Sequence, residues 1–81
     1  MTYHVEFHAA ALAQLQGLPP SAFDAMVERV TELVRAPWEA QIPNQDDAAF
    51  RQCIFGDVGL LSFYVDDGRE LIRIFDVTWA G

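Results

Sequence analysis

The chain has 81 residues, 52% hydrophobic and 12% aromatic, with twelve acidic side chains against five basic ones and a formal charge of −7. A chain of this length makes one domain, residues 1–81, and buries only roughly 60–65% of the surface its unfolded form exposes, so apolar surface remains for a partner or a second copy. All five cations are arginines, and so acidic a body repels a phosphate backbone at long range, unlike nucleic-acid binders with a basic stripe. No apolar run approaches the ~20 residues that cross a bilayer, and no segment of signal-peptide type opens the chain. Cys53 is the single cysteine, which rules out an internal disulfide and sets a cytosolic location as the expectation.

Tyr3, Val5 and Phe7 alternate with His4, Glu6 and His8, the period-two signature of a strand with one buried face. The following run, Ala9 to Gln16, has strong helix propensity but only the short apolar ridge of Leu12 and Leu15. Gly17 and Pro19-Pro20 end it, and Ser21 is placed as an N-cap with Asp24 in the capping-box position. In the second helix Phe23, Met26, Val27, Val30, Leu33 and Val34 form one apolar stripe, with Val27 and Val30 near its centre. Pro37 stops that helix, and residues 38–49 show no period and read as a loop.

The last third predicts an antiparallel meander over 50–55, 59–65 and 70–77, turned at Gly56-Asp57 and at Asp66-Asp67-Gly68. Asp67-Gly68 is the signature of a two-residue type I′ hairpin turn. The expected architecture is α+β in the order β-α-α-β-β-β, an antiparallel four-stranded sheet with two helices packed on one face.

Several groups are candidates for chemistry or binding. Arg51, Arg69 and Arg73 are the only cations in the sheet half, and an anion pocket follows if the strands bring Arg51 and Arg73 to one face; pairing with Glu70, Asp76 or Asp57 is the alternative. His4, Glu6 and His8 share a strand face. Neighbours there are ~6.5–7 Å apart and the two histidines ~13 Å, too far to share an ion, so a solvated face and no metal are expected. Cys53 reads as a small buried residue, and Asp66-Asp67 as turn chemistry. Trp38 opens the loop and Trp79 follows the last strand; each is placed either to anchor a protein partner or to pack back over the core.

Taken in order, these segments resemble the RelE/ParE superfamily of bacterial toxin–antitoxin toxins. The resemblance spans the whole chain: the opening strand, the Ala/Leu helix, the helix ending Leu33-Val34-Arg35-Ala36-Pro37, a variable loop, then Phe50-Arg51, Gly56-Asp57, Tyr64-Val65-Asp66-Asp67 and a final strand. It implies a small toxin neutralised by a cognate antitoxin wrapped around it, RelE-type members cutting mRNA on the ribosome and ParE-type members poisoning DNA gyrase. The mRNA-cleaving members use basic residues in the strand after the loop, an arginine soon after the Gly-Asp turn, and basic or tyrosine residues after the last strand. These would activate the 2′-hydroxyl and stabilise the transition-state phosphate. Arg51 matches the first of these positions. Val58-Gly59-Leu60 stands where the post-turn Tyr-Arg would be, and the chain closes Asp76-Val77-Thr78-Trp79-Ala80-Gly81 without a basic tail.

The expectation is a RelE/ParE-like toxin-family protein bound by an antitoxin-like partner, with Arg51 and Arg73 as the candidate catalytic cations and Trp79 and Trp38 as candidate partner anchors. No cofactor, metal or membrane is implied. The net charge disfavours contact with mRNA or the ribosome, and a homodimer is the other association considered. The alternatives are a non-catalytic RelE-fold module that binds a protein or small ligand, and an unrelated small α+β enzyme using His4, His8 or Cys53.

Overall fold

The computed structural model describes residues 3–37, 42–43 and 49–80. In chain order they form β1 (His4–Phe7), α1 (Ala9–Leu15), α2 (Pro20–Leu33), β2 (Ile42–Pro43), β3 (Phe50–Phe55), β4 (Gly59–Asp66) and β5 (Leu71–Trp79). The strands make one sheet in the order β1-β5-β4-β3-β2. The class and element order agree with the sequence reading, and the meander is antiparallel as expected. Two details differ from the antiparallel four-stranded sheet expected. β1 runs parallel to β5, which the long α1–α2 connection permits, and the two-residue β2 extends the far edge, where a proline interrupts no central ladder.

The register decides which residues share a face, because partners across a ladder point the same way. Cys53 pairs with Leu61 and Leu61 with Val77; Arg51 pairs with Phe63 and Phe63 with Ile74; Val65, Ile72 and Val5 align across three strands. Nearly all of these are apolar and most are buried, and Ala11, Met26 and Leu33 from the helices close over them. Both helices therefore pack on this one face. The opposite face carries His4, Glu6, Arg73, Tyr64, Phe50 and Gln52. A β-bulge in β5, opposite Ser62 and Phe63, inserts Phe75 without a partner and restores Val77 to the core side.

The apolar stripe of α2 is rotated from the one expected. Ala22, Met26 and Leu33 are buried, whereas Phe23 and Val27 are 41% and 45% exposed. Arg29 explains the turn: its side chain is only 16% exposed and lies on the same arc as Ala22, Met26 and Leu33. With about 100° between successive residues, a buried Arg29 swings Val27 toward solvent. Its guanidinium remains paired with Glu32 at 3.3 Å and reaches the thiol of Cys53 on β3. The helix also starts two residues earlier than expected. Pro19 is its N-cap and Pro20 its first residue, and no side chain caps it, so the Ser21–Asp24 capping box is not formed.

The second hairpin departs from its turn signal. Residues 67–70 form a four-residue loop in which Glu70 N–H donates to the Asp67 carbonyl at 3.3 Å and Arg69 N–H to the Asp66 carboxylate at 3.2 Å. Positive φ falls on Glu70, at 51°, and not on Gly68. A two-residue turn would pair Val65 with Glu70 and turn a carboxylate into the core. The observed register pairs Val65 with Ile72 and buries both. Burial outweighs local turn preference here because a slip in register reassigns every side chain.

Glu70→Gly is accordingly expected to stabilise the protein by about 1 kcal/mol, since glycine enters left-handed backbone without the Cβ penalty. The rise in melting temperature checks it, and no change or a fall would mean that the loop relaxes elsewhere. Gly56, with φ +58°, already satisfies that demand in the first hairpin, and its missing side chain leaves room for the Trp79 ring.

Candidate functional site on the open face of the sheet

The open face is built around three aromatic rings that the register brings together. Phe50 of β3 pairs with Tyr64 of β4, and their rings meet edge to face at 5.5 Å. Phe75 of β5 lies 5.1 Å from Tyr64 and 5.5 Å from Phe50, with His8 at 6.5 Å beyond it. Beside this cluster is a cleft of about 640 Å³ lined by His8, Ala49, Tyr64, Val65, Asp66, Asp67 and Arg73. Tyr64 remains 41% exposed, so its ring is presented to whatever enters.

The charges around the cleft are mixed. Arg73 Nε lies 3.6 Å from the Glu6 carboxylate, its neighbour across the parallel ladder. Asp66 forms a long 3.9 Å ion pair with Arg69, both side chains well exposed. Exposed pairs of this kind contribute at most about 1 kcal/mol, but they do set the local charge. Tyr3 O–H donates to Asp67 and ties the hairpin loop to the first strand.

Arg51 and Arg73 do not converge. Arg51 is in register with Phe63 on the helix side, and Arg73 with Tyr64 on the open side, so the sheet itself stands between them and the anion pocket envisaged from the sequence is not formed. His4 and Glu6 lie exposed on β1, with Glu6 directed to Arg73. Among the described residues no three histidine, cysteine, aspartate or glutamate side chains gather as a metal site would require. No helix among them is long and apolar enough to cross a membrane. Trp79 packs back over the end of the core, stacked on Phe55 at 5.8 Å and close to Gly56. Trp38 lies outside the described residues.

Cys53 is buried between the sheet and α2. Burial pushes its thiol up from the usual value, outweighing the Arg29 guanidinium, whose charge and hydrogen bond pull it down. The folded state therefore holds the thiol proton more tightly than the unfolded chain. The stabilisation this gives is complete below the unfolded-state pKa and is lost as pH rises through the folded one. Cys53 is expected to resist thiol reagents in native protein at neutral pH and to react at once in denaturant. Fast native labelling would show that α2 opens from the sheet.

Sequence reasoning missed Phe50, Tyr64 and Phe75 as a cluster, and Arg29 as an interior residue. The Phe50–Tyr64 pair follows from the first hairpin's register, and Phe75 reaches the same face by alternation from Arg73 once β4 and β5 are in their observed register.

No family model matches the sequence, and a search of curated proteins returns no match. Solved structures do match. The RelBE2 toxin–antitoxin complex from Mycobacterium tuberculosis contains a chain 27% identical to this one, with a TM-score of 0.86 over 98% of this chain and 99% of that one. The chain is a RelE-like member of the RelE/ParE toxin superfamily. The archaeal RelE–RelB complex from Pyrococcus horikoshii shares the fold at 22% identity and TM-score 0.81, covering 100% of this chain and 98% of its own. So does an arginine-substituted E. coli RelE toxin in the free state, at 18% identity and TM-score 0.85, covering 99% and 85%. The likeness to these RelE structures thus covers 98% or more of this chain.

Proposed function

We propose that this RelE-like protein is the toxin-family component of a toxin–antitoxin pair, held in the cytosol by an antitoxin-like protein, and that it lacks strong ribosome-dependent mRNA cleavage. The observation carrying the first part is the end-to-end match to a chain of the RelBE2 toxin–antitoxin complex. The second part rests on chemistry. In-line attack by a 2′-hydroxyl needs a base, an acid and cations converging on one phosphate. Here Arg51 and Arg73 lie on opposite sides of the sheet, Arg73 faces Glu6, and Asp66 and Asp67 border the open-face cleft. A charge of −7 further weakens any approach to the ribosome.

Induced expression with growth scored beside sequencing of mRNA 5′ ends tests both parts. Growth arrest that co-expression of the partner relieves, without codon-positioned cleavage, is the expected result. Robust cleavage would reveal a catalytic set built on other residues. Unimpaired growth together with a captured partner would favour the second reading, a non-catalytic RelE-fold binding module, for which the paired arginines at the site speak.

A further inference from the structure

We infer that the open-face cleft receives a basic side chain, arginine or lysine, carried on a segment of the partner protein. The inference rests on the antitoxin-partner reading above and names the chemistry the partner must present. The floor of the site is aromatic. Tyr64 offers an exposed ring, held in place by Phe75 at 5.1 Å and Phe50 at 5.5 Å. A cation over such a ring is attracted by its quadrupole, and a guanidinium also stacks flat against it.

The walls carry the complementary sign. Arg73, the one arginine lining the cleft, has the Glu6 carboxylate 3.6 Å away, so its charge is locally balanced. Asp66 and Asp67 form the other end, with Arg69 only 3.9 Å from Asp66 in a solvent-exposed pair. The carboxylates of Glu6, Asp66 and Asp67 thus stand around the cleft beside Arg69 and Arg73, in a molecule of charge −7. Single-stranded RNA could stack bases on the same floor, but its phosphates would meet those carboxylates. Charge therefore selects a basic peptide, and complementarity of this kind also speeds its association.

The probe is a short fluorescent peptide alternating arginine with leucine, titrated into the full chain beside a glutamate–leucine counterpart and a short oligouridylate. The arginine peptide is expected to bind and to shift the amide resonances of Tyr64, Arg73 and Phe75, and the glutamate peptide to do neither. Tyr64→Leu keeps apolar bulk and net charge but removes the π face, and should weaken binding roughly two- to thirtyfold. Asp66→Asn with Asp67→Asn keeps the loop's acceptors and should weaken it as well. Unchanged affinity in Tyr64→Leu, resonance shifts centred on another surface, or oligouridylate binding more tightly than the peptide would each overturn the inference. A native partner captured equally by wild type and Tyr64→Leu would leave the toxin–antitoxin reading standing while removing the cleft from it.

Discussion

Met26→Asp is expected to abolish folding. Met26 is 2% exposed and sits on the buried arc of α2 with Ala22 and Leu33, facing the side chains of β3, β4 and β5. An unpaired carboxylate placed there costs several kcal/mol, or protonates at a comparable cost. A chain of this length holds roughly 4–12 kcal/mol of total stability, so most or all of it would be lost. Val27→Asp, one residue away on a side chain 45% exposed, should change stability by less than about 1 kcal/mol. Circular dichroism melts of the two variants check the assignment together. A folded Met26→Asp protein, or an unfolded Val27→Asp one, would show that the helix faces the sheet with its Phe23–Val27 side.

Trp79→Ala is expected to cost about 2–3 kcal/mol, a fall of roughly 10–20 °C in melting temperature for a domain this small. The ring stacks on Phe55 at an interplanar angle of 24° and covers the first hairpin turn at Gly56. Its removal exposes Phe55, which is otherwise 1% exposed. The figure is below that of a fully buried tryptophan because Trp79 is only half-buried. Denaturant titration measures it. Trp79→Phe keeps a stacked ring, so a loss of partner affinity in that variant, with melting unchanged, would assign the residue an interface role in addition to its packing.

Much of the fold was legible in residue patterns. The alternation of Tyr3, Val5 and Phe7 marked β1, and the apolar density of 59–65 marked the central strand β4, because period two follows directly from strand geometry and a strand with neighbours on both edges carries more apolar residues. The existence of α2 followed from its spacing, but its rotation did not. Arg29 contributes nothing to an apolar pattern, yet its interior position shifts the buried arc away from Val27. Asp67-Gly68 announced a turn and mislaid its type, since a local preference worth tenths of a kcal/mol gives way to the register that buries Val65 and Ile72.

The open-face site belongs to tertiary structure. Composition alone determined that the protein is acidic, small and short of phosphate-binding cations, and the order of its segments pointed to the RelE architecture. Only the assembled sheet decided that Arg51 and Arg73 fall on opposite faces and that Phe50, Tyr64 and Phe75 meet beside Asp66 and Asp67. The physical reason is parity. A side chain's face depends on whether its position in the ladder is odd or even, and the one-residue bulge in β5 changes that count partway along the strand, where no local sequence signal records it.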